Sequence, residues 1–143
     1  MPQRPRARRR VGQAEYARLL TVRTALRRFE RWSAEQAAAH GVTASQHQLL
    51  LAVRGHPEPQ GPTISQVADY LLIRNHSAVE LAGRTERAGL IHRVRDDADH
   101  RVVRLQLSGA GSQLLAALSR SHLDELASLT PLFESLIKAL AAG

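Results

Sequence analysis

The chain has 143 residues, 43% of them apolar, and a formal net charge of +7, a length that suits one domain and excludes a large multidomain enzyme. Only two Phe, two Tyr and one Trp occur, so the core is expected to be aliphatic and helical rather than a sandwich of aromatic strands. No cysteine is present, which removes disulfides, thiolate metal sites and thiol redox switching.

Five of the 20 basic residues fall in the opening MPQRPRARRR. That stretch has two Pro and no apolar periodicity, so residues 1–10 are expected to form a disordered basic arm. Outside it the charge excess is only +2. Val11-Gly12-Gln13-Ala14-Glu15 follows in place of an apolar h-region, so the arm is not a secretory signal. No apolar run approaches the roughly 20 residues that cross a bilayer, and the expectation is a cytoplasmic protein with no membrane contact. Nineteen of the 20 basic residues are Arg, a bias that a GC-rich genome produces as readily as phosphate binding does.

From about residue 11 to 39, Leu19, Val22, Leu26 and Phe29 recur at helical spacing while Arg18, Arg23, Arg27 and Arg28 lie largely off that stripe. The pattern predicts a long amphipathic helix ending near His40-Gly41. Thr43-Ala44-Ser45-Gln46 is a capping-box candidate ahead of Leu49, Leu50, Leu51 and Val53, which predicts a short second helix. Gly55 to Pro62 holds three Pro and two Gly in eight residues and reads as a loop. Thr63-Ile64-Ser65-Gln66 repeats the capping logic, with Ile64, Val67, Ala68 and Leu71 as the inner face of a third helix of about two turns.

A fourth helix is predicted from roughly Arg74 to Ala88, with Ala78, Leu81, Ala82, Thr85 and Ala88 inward and a polar opposite face. Gly89 stops it. Leu90 to Arg95 reads as a strand, Asp96-Asp97-Ala98-Asp99-His100 as a turn, and Val103, Leu105 and Leu107 as alternate positions of a returning strand. Ser108 can cap the next helix, in which Leu114, Leu115, Leu118, Leu123, Leu126 and Leu129 keep helical spacing. Pro131 is expected at the first position of a separate final helix, capped by Thr130 and carrying Leu132, Phe133, Leu136, Ile137 and Leu140. These terminal helices hold more Leu than a small domain needs, and two copies packed through them would bury the surplus.

Helix, short turn, helix and hairpin in TISQVADYLLIRNHSAVELAGRTERAGLI and its continuation carry the functional content. Apolar residues sit where the two helices cross, and Asn75-His76-Ser77 stand at the exposed N-terminus of the second, the end that enters a major groove in helix-turn-helix proteins. Arg93, Arg95, Arg101 and Arg104 place a basic hairpin beside it, within reach of backbone or minor groove. Together these make a winged helix over residues 43–107, with helices at 11–40 and 108–143 left for dimerisation, all within one domain of residues 11–143.

The segment GLIHRVRDDADHRVVRLQLSGAG resembles the Gly-Leu-hydrophobic-x-Arg, Asp-x-Arg and Leu-Ser/Thr-x-x-Gly wing signature of the multiple-antibiotic-resistance regulator (MarR) family of winged-helix transcription factors. The resemblance runs from about residue 12 to 141. It implies a homodimer joined through the terminal helices, a pseudo-palindromic operator of double-stranded DNA, and release by a small, frequently aromatic and anionic ligand. By position Asp99 matches the wing Asp and Arg101 the wing Arg, which in the family enters the minor groove. The Asp would orient a wing Arg by a charge-assisted hydrogen bond. Arg93 matches the basic residue after the recognition helix. Arg74, Asn75, His76 and Ser77 occupy that helix's first turn, where Asn can pair with adenine and Arg with guanine or phosphate. Arg84 and Arg95 complete the DNA-binding set. The sequence departs from the family where Val79 and Glu80 replace a frequent Ser/Thr and basic residue, and where Gly83 lies inside the helix. Glu80 can accept from cytosine or pair with Arg84.

Phe29 and Trp32, three residues apart on nearly one face, are candidate walls of a ligand cleft between the terminal helices and the DNA-binding core; simple packing is the competing reading. His40 and His47 flank the junction of the first two helices, can meet in space, and join this candidate set. Without a His-x-x-x-His or His-Glu-x-x-His pair no metal site is expected. Neither a cofactor nor catalysis is implied, since no nucleophile elbow or phosphate-cradling loop is present. The sequence therefore reads as mainly α with a β-hairpin wing: a homodimeric, sequence-specific DNA-binding regulator, a repressor released by a small ligand. The alternative is a nonspecific basic nucleic-acid-binding protein.

Overall fold

A computed structural model describes residues 10–142; except for Arg10, the expected basic arm at 1–10 lies outside the described residues. In chain order the elements are α1 (Gln13–Ala39), α2 (Ala44–Gly55), α3 (Ile64–Leu71), α4 (Asn75–Arg87), β1 (Ile91–Arg95), β2 (Val103–Leu107) and α5 (Gly109–Ala141). The result is a mainly helical winged-helix fold with one antiparallel hairpin.

The same local chemistry starts α2 and α3. The Thr43 hydroxyl accepts from the Gln46 N–H at 3.1 Å while Gln46 Oε1 accepts from the Thr43 N–H at 3.0 Å. Thr63 and Gln66 repeat the exchange at 3.2 and 2.9 Å, so each helix begins with two of its orphan donors satisfied. α3 ends at Leu72 in the left-handed region, φ 54° and ψ 43°. The Ile73 N–H reaches the Ala68 carbonyl at 3.0 Å and the Leu72 N–H that of Asp69 at 3.4 Å, a Schellman closure that turns the chain into α4.

Leu49, Leu50 and Val53 of α2 lie at the middle of the core, against Val67 of α3, Leu81 and Ala82 of α4, Leu105 of β2, and Leu115 and Leu118 of α5. Burying an aliphatic side chain of this size is worth about 1.5–3 kcal/mol, so α2 ties the winged helix to α5. The inner face expected for α4 is buried at Ala78, Leu81, Ala82 and Thr85, but Ala88 is exposed because the helix has already ended at Arg87.

Two close backbone approaches fix the hairpin. At Gly61, φ is +91° and a Cβ would collide with the Leu105 carbonyl; the adjacent Pro62 carbonyl accepts from the Leu105 N–H at 2.9 Å. At Gly111 a Cβ would collide with the Leu90 carbonyl, so glycine lets the start of α5 rest on the strand entry. Ser108 completes that joint: its N–H donates to Leu90 at 3.0 Å, its hydroxyl donates to Gly89 at 2.6 Å, and the same oxygen accepts from Gly111 at 3.0 Å.

The separate final helix expected from Pro131 does not form. α5 runs unbroken through Pro131 to Ala141. Proline's fixed φ is helical, so the cost is a forgone hydrogen bond and crowding one turn back. Half-buried Leu129, Leu132 and Phe133 and buried Leu136 hold the axis on both sides. The α1 stripe is also only partly covered within the chain, since Val22 and Phe29 are half-buried while Leu19 and Leu26 remain 59% and 45% exposed.

Candidate nucleic-acid interface

α4 presents its N-terminus outward. Arg74 is its N-cap residue, with extended backbone and no side-chain cap, and Arg74, Asn75 and His76 are exposed while Ser77 is half-buried. The Asn75 amide donates to the Ser65 hydroxyl at 3.1 Å, which anchors the start of α4 to α3. Arg84 is exposed two turns further along. Arg93, on β1, lies 3.4 Å from Glu86 at the end of α4, linking helix to wing.

The wing is organised by two carboxylates. Asp99 receives Arg101 through two parallel bonds, Nε to Oδ1 and Nη2 to Oδ2, both at 3.0 Å, and also accepts the Arg101 N–H at 3.1 Å. The Arg101 guanidinium, then this N–H, hold the Asp99 carboxyl below its ordinary value. The expected charge-assisted bond is thus bidentate, with the Arg101 side chain otherwise exposed at the wing tip. Arg95 donates to the His100 carbonyl at 2.7 Å and braces the tip from the opposite strand.

Asp96, read from sequence as a turn residue, has the larger structural part. Its Oδ1 accepts the N–H groups of Ala98 at 2.8 Å and Asp99 at 3.0 Å, and its Oδ2 accepts Arg104 Nε at 2.6 Å. Arg104 then donates to the Gly61 carbonyl at 3.0 Å and meets Glu58 at 3.1 Å. The hydrogen bond from Arg104, followed by those from Asp99 and Ala98, holds the Asp96 carboxyl below its ordinary value. Arg104, foreseen as a groove-reaching cation, is instead turned inward as a strap between the wing and the loop before α3.

Residues 40–102 match the model of the MarR family. The HTH-type transcriptional regulator PecS of Dickeya dadantii is 28% identical over 83 residues, 58% of this chain and 50% of PecS, so the chain spans about half the length of that curated relative. The fold is similar to that of a MarR family protein from Bacillus stearothermophilus, with a TM-score of 0.72 at 20% identity over 93% of this chain and 97% of that one. Over residues 40–102, which include the wing turn, the chain is similar to the MarR family. The fold is also similar to that of S. aureus MepR in a complex with DNA, with a TM-score of 0.65 at 18% identity, covering 94% of this chain and 100% of that one.

The chain also contains a cavity of about 750 Å³ between α1, α2 and α5. Phe29 and His47 line it, with Leu26 and Leu51. Trp32 flanks it, its ring 5.9 Å from Phe29 and 4.7 Å from His122. His40 is not part of the lining; it lies at the exposed end of α1, bonded to the Gln36 carbonyl at 2.9 Å.

Sequence reasoning missed His122, whose ring lies 4.6 Å from that of His47. One signal was available: His122 follows Leu118 by four residues on the apolar face of α5. The Leu118 carbonyl only accepts, so His122 Nδ1 carries the proton in that 2.7 Å bond, and in the neutral ring Nε2 accepts from the Ser33 hydroxyl at 2.6 Å. Burial, then His122, then His40, push the His47 imidazole below its ordinary value. His47 is buried at 6% exposure. Among the described residues no group of three or more His, Asp or Glu is placed to hold a metal ion, and no helix is long and apolar enough to cross a membrane.

Proposed function

We propose that two copies of this chain pair through α1 and α5 and bind a pseudo-palindromic DNA operator as a repressor, each copy placing α4 in a major groove and Arg101 in the flanking minor groove. The observation that carries the reading is the bidentate Asp99–Arg101 lock at the wing tip, set beside an α4 whose N-terminal Arg74, Asn75 and His76 are exposed. A wing arginine held at a fixed angle suits insertion into a narrow, electronegative minor groove. The DNA bound by S. aureus MepR supports the same partner, and PecS is an HTH-type transcriptional regulator.

Pairing rests on a different feature. Tyr16, Leu19, Leu20, Ile137 and Leu140 are each 59–67% exposed on α1 and α5, more apolar surface than a lone domain leaves in water. A twofold axis through these helices sets the separation of the two α4 helices, with half-sites about 34 Å apart.

Ligand control follows from the cavity between those helices and the winged lobe. An apolar ligand wedged against Phe29, Leu26 and Leu51 would alter that separation and weaken both half-site contacts together. Among the described residues the lining holds Glu30 and no Arg or Lys. An anionic ligand would therefore be met by the neutral donors Ser33, Gln48 and Ser119, or by His47 after proton uptake.

Enrichment of a randomised duplex pool, then fluorescence anisotropy of the enriched and a scrambled duplex at two salt concentrations, tests the function. A preference of about 10³ or more at the higher salt is the expected result. Equal, steeply salt-dependent binding of both duplexes overturns it in favour of a nonspecific basic binder.

A further inference from the structure

The outward face of α4 changes character after its first turn. Val79 is 47% exposed and stands beside exposed Glu80, with Gly83 one turn on. These three line a shallow groove of about 390 Å³ whose remaining walls are Arg84, Arg87 and Arg93. Neither fold nor packing asks for glycine at 83: it is a weak helix former, and a Cβ there would meet only the tip of the Arg87 guanidinium at 3.3 Å. The middle of this outward face is therefore an open apolar strip with one acceptor, ringed by cations.

We infer that Val79 is a specificity-determining residue that reads the 5-methyl group of a thymine in each half-site. The inference rests on α4 being the base-reading helix. Base edges in the major groove offer hydrogen-bond donors, acceptors and a single apolar group, the thymine methyl. A valine side chain can be matched there by that group alone. Glu80 beside it only accepts, so its partner is the amino group of a cytosine or adenine, and the acceptor edge of guanine is disfavoured. Arg84, Arg87 and Arg93 favour a polyanion over an apolar protein partner on this face, and phosphates on either side of the strip would hold the duplex against it. The central half-site is thus a thymine next to an amino-bearing base.

The test replaces thymines of the enriched duplex one at a time by deoxyuridine, which removes only the methyl. The wild type should lose about fourfold in affinity at one thymine per half-site, the equivalent of one buried methylene at about 0.8 kcal/mol. In Val79→Ala that loss should disappear, and in Val79→Thr, which keeps a methyl at the branch, it should persist. Val79 is 47% exposed and lies outside the buried core cluster, so all three proteins should stay folded, with melting temperatures within a few degrees of one another. Tolerance of uracil at every position by the wild type, or an equal loss in Val79→Ala, overturns the inference while leaving operator binding intact. If no duplex is enriched over random sequence, the operator reading falls and the inference falls with it.

Discussion

Asp96 and Arg104 meet across the base of the wing, the arginine Nε donating to the carboxylate at 2.6 Å. The two side chains are only 10% and 15% exposed. Because the other carboxylate oxygen closes the turn through Ala98 and Asp99, a single ion pair sets where Asp99, and through it Arg101, is held. Arg104 carries the same constraint to Gly61 and Glu58, so the wing is tied to the loop leading into α3.

Asp96→Asn keeps an acceptor for the turn and removes the charge. It should melt several degrees below the wild type at pH 7. The folded carboxyl lies below the unfolded one, so its contribution is complete above about pH 4 and is lost as pH falls through the lower folded value. The gap between the two melting temperatures should narrow below about pH 4; a gap that does not change with pH contradicts the role given to the ion pair.

Arg101→Ala should weaken binding to all duplexes and make the salt dependence shallower by about one counterion per chain. Asp99→Ala leaves the arginine in place but free to rotate. It should lower affinity for the enriched duplex while keeping the full salt slope, read by anisotropy titrations over a salt series. Identical slopes for wild type and Arg101→Ala would show that the wing tip does not reach the DNA.

Leu72 occupies a left-handed position, φ 54°, with 92% of its surface exposed. The side chain gains nothing from packing and meets the steric cost of that region, about 1–2 kcal/mol. Glycine removes this at an entropic cost of about 0.5–1 kcal/mol. Leu72→Gly should therefore raise stability by about 0.5–1 kcal/mol in urea titration. A loss would mean that the leucine stabilises the helix-turn-helix corner in a way its exposure does not reveal.

Much of this site was legible before any coordinates, and the exceptions share a cause. The capping boxes at Thr43 and Thr63, the stop at Gly89 and the alternation about Leu105 are local patterns, each written within a few residues. The Asp99–Arg101 lock is also local, two residues apart. Asp96 resembled its neighbours Asp97 and Asp99 because what distinguishes it is Arg104, brought back by the hairpin. His122 joins His47 and Ser33 only once α5 packs across α1 and α2. Pro131 misled because proline at a helix start and proline inside a helix share one φ; the half-buried and buried side chains around it decide between them.

Leu20→Glu tests the proposed pairing. Leu20 is 65% exposed in the single chain, so the substitution should leave the fold intact. A twofold interface counts each change twice. At about 2 kcal/mol per lost leucine, the dimer should weaken by about 4 kcal/mol, roughly a thousandfold. Sedimentation equilibrium should then report monomer where the wild type is dimeric, and an unchanged dimer would place the interface elsewhere.

The most direct measurement is a hydroxyl-radical footprint of the wild-type protein on its enriched duplex, read on both strands. The account predicts two protected patches related by twofold symmetry, their centres about one helical turn or a whole multiple of it apart, with minor-groove protection at the outer flanks that Arg101→Ala removes. One patch without symmetry, or protection that spreads along the duplex as protein is added, would contradict a dimeric, sequence-specific regulator.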